Sequence, residues 1–154
     1  MLLIKILRGD KKMSNQTDKI KKILDEAIKF HGHLGPFLVL GLKAGLFANE
    51  VLGKDYFRTK ATVETEPRPP YSCFVDGIQI ATGCTMGKCN IKIKRGNPIS
   101  LTISRNGRVL IMKLKEEVLD FLVKMPSRKV VEQKAFEIMN KPINELFDIT
   151  YNNE

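Results

Sequence analysis

One stretch decides the fold of this chain: PFLVLGLKAGLFANEVL, residues 36–52. Proline is favoured at the first position of a helix and glycine just after the last, so Pro36 and Gly53 predict its two ends. The stretch is apolar nearly all round, which is typical of a helix buried at the centre of a domain. Gly41 and Gly45 are four residues apart, so one helix face is bare and another backbone segment is expected to approach it closely.

The segments on either side of this helix predict an α+β domain. Residues 15–30 show an amphipathic helical pattern with lysines on the outer face. The further elements are predicted as a strand at 58–66, a short helix at 74–81, strands at 90–94, 99–104 and 110–114, helices at 115–124 and 127–139, and a last helical turn at 142–147. Because the strands cluster instead of alternating with helices, we expect an α+β domain in which two N-terminal helices precede a four-stranded sheet, its last three strands antiparallel, and further helices follow at the C-terminal end.

Length and composition fit a single domain. The chain has 154 residues, of which 43% are hydrophobic and 28% charged. We expect one domain over residues 17–150 behind an N-terminal extension of residues 1–16, in which Met13 is an alternative start. No apolar run reaches the ~20 residues of a membrane span, and a signal-peptide cleavage site is missing, so we expect a cytoplasmic protein without membrane contact.

The net charge of +9 comes mostly from lysines spread along the chain. Such a charge permits nucleic-acid binding. However, the chain lacks arginine-rich clusters and interleaved basic and aromatic residues, so a solvated lysine-rich surface is the better interpretation and nucleic acid is an unfavoured partner. The three cysteines, an odd count, favour metal ligands or reactive thiols over disulfides.

The two histidines of the chain, His31 and His33, stand on either side of Gly32 directly before the central helix. His31 continues the apolar stripe of the first helix, so it should point inward. The glycine lets both rings face one point, where neutral imidazoles could bind a metal. The amide groups at the following helix start suit an anionic ligand. A satisfied core histidine is the plainer alternative.

A second polar cluster lies on the predicted short helix. Asp76 and Gln79 are three residues apart and share one helix face, and Cys73 lies one turn before Asp76. They could orient a ligand. The plainer alternative is a capped helix with both polar side chains in water.

A third cluster is the loop TGCTMGKCN, residues 82–90. Its glycines are separated by three residues where a P-loop needs four, and Cys89 stands where magnesium would need Ser or Thr, which excludes a P-loop nucleotidase. We expect Lys88 to lower the pKa of the Cys84 thiol and favour the thiolate. Thiolate and imidazole together are typical zinc ligands. Glu64 and Glu66 on the adjacent strand add two carboxylates.

Four stretches together resemble the FmdE family, a component of formylmethanofuran dehydrogenase: HGHLGP at 31–36, VETE at 63–66, CFVDGIQ at 73–79 and TGCTMGKCN at 82–90. The family pattern reads HGHxCPG, VET, CxxDAIQ and TGCTxGKGN, and the resemblance covers about residues 17–115. It implies a core of helix, strand, helix and three further strands in a mixed sheet, with a metal, usually zinc, at the histidine–cysteine site. It also implies association with the molybdenum or tungsten enzyme that reduces carbon dioxide to formylmethanofuran in archaeal methanogenesis.

The chain departs from this family pattern at several positions. Gly35 stands in place of the first cysteine, Phe37 and Cys89 each replace a glycine, and a proline-rich insertion precedes Cys73. The C-terminal Cys-x-x-Cys ribbon of many relatives is missing. The resemblance implies four candidate metal ligands: His33, Cys73, Cys84 and His31, the last as a ligand or as a partner of one. Residues expected to orient ligands, bind a small anionic substrate or complete the metal shell are Glu64, Asp76, Gln79, Lys88 and Cys89.

Three functions are open from the sequence. The first is an accessory or maturation-linked protein that holds zinc, with iron as the alternative metal, and associates with the other formylmethanofuran dehydrogenase subunits. The second is a stand-alone enzyme, in which an open metal position left by Gly35 activates water or a thiol. The third is a basic nucleic-acid-binding module, whose binding would weaken steeply with salt. A homodimer is the expected assembly.

Overall fold

The structure, a computed structural model, describes residues 11–153, and the side chains of residues 15–153. Residues 1–10 of the expected N-terminal extension lie outside that range. The elements in chain order are α1 (Lys11–His31), α2 (Pro36–Leu52), β1 (Lys60–Thr65), α3 (Cys73–Thr82), β2 (Ile91–Arg95), β3 (Ser100–Arg105), β4 (Arg108–Leu114), α4 (Glu116–Val123), α5 (Arg128–Asn140), α6 (Ile143–Leu146) and β5 (Phe147–Asn153).

The α+β prediction is confirmed, and the two ends of α2 agree with it to the residue. Within residues 11–153 the sheet has five strands in the order β2-β1-β3-β4-β5, one strand more than expected. β1 pairs with β2 in parallel and all other neighbours are antiparallel, so the sheet is mixed. The predicted last helical turn is α6, and Phe147 already belongs to β5.

α2 lies at the centre of the core, as its composition predicts. Most of its apolar side chains are buried, and they join a cluster that includes Val63, Leu101 and Met112 on one face of the sheet. Two arginines of the β3–β4 hairpin reach the carbonyl of Leu52 at the end of α2, Arg105 at 2.7 Å and Arg108 at 2.6 Å. These bonds satisfy a helix-end carbonyl that would otherwise lack a partner.

Helix α3 packs against the face of α2 that carries Gly41 and Gly45. A Cβ atom on Gly41 would lie 2.0 Å from the carbonyl oxygen of Phe74, and one on Gly77 would lie 2.2 Å from the carbonyl oxygen of Leu38. Further along, a Cβ on Gly45 would lie 2.5 Å from Cβ of Ala81. Residues near the start of α2 contact residues near the start of α3, and residues further along α2 contact residues further along α3. The two helices therefore run in the same direction and begin at the same end of the domain.

No helix in the described part of the chain is both long and apolar enough to cross a membrane.

Candidate functional site

His31, the last residue of α1, meets Asp76 of α3 at the centre of the candidate site. Nδ1 of His31 lies 2.6 Å from Oδ2 of Asp76, and 9% of the His31 side chain is exposed. An ionised carboxylate only accepts hydrogen bonds, so Nδ1 of His31 carries a proton, and in the neutral form of the ring the lone pair lies on Nε2. Nε2 is buried and has no hydrogen-bond partner among the described residues. The site therefore contains a buried ring nitrogen that residues 15–153 leave without a hydrogen-bond partner.

His33 lies beside His31 on the exposed side of the same turn. The two ring centroids are 4.7 Å apart, and Nε2 of His33 would lie 3.1 Å from a Cβ atom on Gly35. Loss of hydration lowers the pKa of His33, and the nearby charges of His31 and Arg128 lower it further. The neutral imidazole, which is the form that binds metals, is thus favoured at neutral pH.

Gln79 links this pair to the 82–90 loop. Its Nε2 lies 3.5 Å from Oδ1 of Asp76, and its Oε1 accepts a hydrogen bond of 3.0 Å from the backbone N–H of Met86. The shared helix face predicted for Asp76 and Gln79 is confirmed. Both side chains are half-buried and take part in contacts across the site, so the alternative that left them in water is wrong.

Cys73, one turn before Asp76, is half-buried. Burial raises the pKa of its thiol, and the neighbouring charge of Asp76 raises it further. A bound cation would reverse this preference, because a metal holds a thiol in its deprotonated form.

Cys84 is fully buried, and the expectation of a thiolate there is corrected. Burial raises the pKa of the Cys84 thiol, and the hydrogen bond from Thr82 and the charge of Lys88, which both lower it, do not compensate. Sγ lies 3.5 Å from the carbonyl oxygen of Thr59, an acceptor that a protonated thiol can use. The ammonium group of Lys88 donates instead to the Gly83 carbonyl and to Oγ1 of Thr85.

Cys89, Glu64 and Glu66, the other residues expected near the metal, lie away from the His31–Asp76 pair. Cys89 is exposed, in a left-handed conformation with φ of 56°. Glu64 is exposed on β1 and lies against Gly96, whose Cβ position is 3.0 Å from Oε2 of Glu64. Glu66 pairs with Arg95 of β2 at 3.2 Å. These contacts place both carboxylates at the β1–β2 edge of the sheet.

The structure thus brings together His31, His33, Asp76 and Gln79, with Cys73 one turn away. Among residues 15–153, no group of three or more His, Cys, Asp or Glu side chains is placed to hold a metal ion. Sequence reasoning missed Arg128, whose charge acts on His33 from the start of α5. The sequence carries no signal for that contact, since the two residues are far apart in the chain.

The candidate site can be compared with proteins of similar sequence or fold. A protein of Archaeoglobus fulgidus named "Probable S-adenosyl-L-methionine-binding protein" is 30% identical over 138 residues, which cover 84% of this chain. This chain spans only 34% of that protein's length. A solved structure from Syntrophus aciditrophicus, of a tungsten formylmethanofuran dehydrogenase FmdE-like protein, aligns with a TM-score of 0.61 over 88% of this chain and 72% of that one. At 16% identity, this likeness shows a shared fold.

The sequence comparison extends across the site. The family whose sequence model matches is described as "FmdE, Molybdenum formylmethanofuran dehydrogenase operon", and the match covers residues 30–148. That range contains the His31 turn, α2, α3 and the first four strands of the sheet. The chain belongs to the FmdE family.

Proposed function

We propose that this chain is a metal-binding, FmdE-like protein that associates with formylmethanofuran dehydrogenase in C1 metabolism, with zinc as its metal. Membership of the FmdE family supports the association. The observation that carries the metal proposal is the buried Nε2 of His31, which has no hydrogen-bond partner among the described residues. A homodimer in the cytoplasm remains our expectation for its assembly and location.

The donor groups at this turn suit zinc. Histidines that bind metals commonly donate their other ring N–H to a carboxylate, and the His31–Asp76 pair has this arrangement at 2.6 Å. His33 offers a second imidazole next to the first. Imidazole nitrogen is a common zinc ligand and is also compatible with iron. Cys73 is the third candidate ligand, whereas Cys84 would have to give up its thiol proton and its contact with Thr59.

Each residue then has a defined task. Asp76 holds the proton on Nδ1 of His31 and orients the ring, and Gln79 ties Asp76 to the backbone of the 82–90 loop. His31 and His33 hold the metal through nitrogen lone pairs. When bound, zinc would supply Lewis-acid polarisation or lower the pKa of a water molecule.

Metal content, measured by elemental mass spectrometry on the anaerobically purified full chain, tests this proposal. Near-stoichiometric zinc is expected in the wild type, and loss of metal in His31→Ala. Asp76→Asn should weaken metal affinity by about 10- to 100-fold, because it removes the group that orients a ligand. Asp25→Asn, an exposed change on α1, is the matched control and should bind like the wild type. A wild type that stays metal-free after reconstitution would refute the metal site.

The association is tested separately, by size-exclusion chromatography of the full chain mixed with purified formylmethanofuran dehydrogenase. Co-elution at micromolar concentration is expected. Separate elution of the two, with and without metal, would contradict the proposed partner.

A second candidate function follows from the Archaeoglobus protein, whose name refers to S-adenosyl-L-methionine. The 30% identity over 138 residues is the observation in its favour. Isothermal titration of the full chain with S-adenosyl-L-methionine decides it: saturable binding would favour this function, and heat no larger than that of dilution would exclude it.

A further inference from the structure

The two edges of the sheet differ in charge. Among residues 11–153 the strand order β2-β1-β3-β4-β5 makes β2 and β5 the edge strands. β2 has the sequence IKIKR, in which three of five residues are cations, whereas β5 has the sequence FDITYNN, in which one of seven residues is charged. Lysines on an edge strand keep other strands from pairing with it, and many proteins protect their sheet edges in this way. β2 has this protection and β5 lacks it.

The hydrogen bonds at the start of β5 show which of its residues face outward. The N–H of Lys115 donates to the carbonyl of Leu146 at 3.0 Å, and these two residues continue the register of the β4–β5 pair. Because backbone groups alternate in direction along an antiparallel strand, every second residue from Leu146 onward faces β4. Phe147 lies between them, and its N–H donates to the carbonyl of Ile143 instead of to β4. The next residues whose N–H and C=O groups both face the outer edge are Ile149, Tyr151 and Asn153.

The side chains along this edge leave room for a further strand. Ile149 contacts the core and is half-buried. Tyr151, the next residue on the same face, is 44% exposed, and Asn153 beyond it is exposed as well. In the part of the chain that the structure describes, no strand lies beyond β5. Outward-facing backbone groups beside an exposed aromatic side chain are the features to which an added β-strand binds.

We propose that β5 of one copy of this chain pairs with β5 of a second copy, antiparallel and across a two-fold axis at Thr150. The two five-stranded sheets then form one continuous sheet. This inference rests on the homodimer expected under the proposed function, for which it supplies the interface, and it is independent of the metal.

The backbone of β5 suits this pairing with itself. With the axis at Thr150, Ile149 of each copy lies opposite Tyr151 of the other, and both residues direct their N–H and C=O groups toward the partner. The two residues can therefore exchange two hydrogen bonds, and the symmetry repeats them. Asn153 lies opposite Phe147, whose carbonyl also faces the edge. The N–H groups of Ile149, Tyr151 and Asn153 thus each meet a carbonyl of the second copy.

The side chains of β5 select this register. Ile149 and Tyr151 form an aliphatic–aromatic pair between the copies, a kind of cross-strand contact that stabilises sheets. On the other face, Asp148 lies opposite Asn152, so no like charges oppose each other. A two-fold axis at Tyr151 would instead place Ile149 opposite Asn153 and lose the apolar contact. The strand is therefore complementary to a second copy of itself.

Proline substitutions on the two edges test the pairing. Tyr151→Pro removes an outward-facing N–H that β4 does not use, so the sheet of the single chain keeps its own hydrogen bonds. Ile93→Pro is the matched control on β2, where Ile93 is 41% exposed. The N–H of Ile93 also faces outward, because alternate residues back from Gly96, which donates to the Thr65 carbonyl at 3.3 Å, face β1.

Sedimentation velocity of the full chain across micromolar concentrations measures the dimer. The wild type and Ile93→Pro should sediment as dimers with the same Kd. Tyr151→Pro should raise the Kd by ~10-fold or more, because each of the two copies loses a hydrogen bond and the contact with Ile149 is lost as well. Far-UV circular dichroism of both variants shows whether their strands remain folded.

Cysteine cross-linking tests the register and does not depend on the proline variant. Two residues that face each other between hydrogen-bonded pairs have Cα atoms about 4.5 Å apart, within the range of a disulfide. In a Cys89→Ser background, which removes the exposed thiol, Thr150→Cys should form a disulfide-linked dimer under mild oxidation. Asn152→Cys is the control, because Asn152 is exposed on the same strand but lies opposite Asp148, and it should not cross-link.

The outcomes separate this inference from the proposed function. A monomeric wild type would leave the edge to another kind of partner and overturn the inference. A dimer that persists in Tyr151→Pro, an equal loss in Ile93→Pro, or a disulfide that forms as readily through Asn152→Cys as through Thr150→Cys would also overturn it. A metal-free chain that dimerises through β5 refutes the metal site alone, and a metal-bound monomer refutes this interface alone.

Discussion

Gly77→Ala tests whether the stability of the fold depends on the close contact between α2 and α3, the helix that carries Asp76. An alanine Cβ at this position would lie 2.2 Å from the carbonyl oxygen of Leu38 and 2.4 Å from the amide nitrogen of Leu42. Ordinary van der Waals contact begins at 3.4 Å, so the helices would have to separate by about 1.2 Å. The opposing atoms belong to the backbone, and they cannot turn aside as the end of a flexible side chain can.

The expected magnitude follows from two opposing terms. Overpacking in a core costs ~1–3 kcal/mol, and contact with backbone puts this change at the upper end. Alanine gains ~1 kcal/mol over glycine in helix propensity. The free energy of unfolding should therefore fall by about 2 kcal/mol, which corresponds to a Tm lower by ~4–8 °C for a chain of this size.

Urea denaturation followed by far-UV circular dichroism measures the change in stability. Gly87→Ala is the control, because a Cβ there meets nothing within 4 Å, and its stability should match that of the wild type. If Gly77→Ala unfolds within ~0.5 kcal/mol of the wild type, the range of ordinary surface changes, the close α2–α3 contact does not constrain the fold as argued.

Two further predictions concern ionisable side chains. Burial lowers the pKa of Lys43 to about 8, from 10.5 in its ordinary state, so between those values the unfolded chain binds more protons than the folded one. The free energy of unfolding should therefore rise with pH across this window relative to Lys43→Met, and a constant difference between the two proteins would contradict the argument. Cys89 is exposed whereas Cys84 is buried, so a thiol reagent at neutral pH should show a fast phase that Cys89→Ser loses and Cys84→Ser retains. A fast phase that disappears with Cys84→Ser would refute this assignment.

Much of the fold was predictable because its signals are local. Pro36 and Gly53 mark the two ends of α2 by their own backbone preferences. Asn-Gly is a strong local signal for a two-residue hairpin turn, and Asn106 and Gly107 form such a turn, with φ of 51° and 73°. Both angles are positive, as a two-residue hairpin turn of this type requires, and these residue types adopt such angles at low cost.

β5 was not predictable on the same grounds. Its sequence, FDITYNN, contains an aspartate and two asparagines, which are depleted in strands, and most of its side chains are exposed. The segment is a strand because it pairs with β4, from Phe147 opposite Leu114 to Asn153 opposite Arg108. That pairing joins segments distant in the chain, so no local sequence pattern predicts the strand.

Some features of the candidate site were likewise predictable from the sequence, and others depend on the tertiary structure. The sequence by itself determined that His31 points inward, that Asp76 and Gln79 share a helix face, and that the glycines of α2 admit a close neighbour, since each follows from helix periodicity. Only the tertiary structure decided that His31 meets Asp76, 45 residues away, and that burial raises the pKa of the Cys84 thiol. Both depend on burial and on contacts between segments distant in the chain, which exist only once the chain has folded.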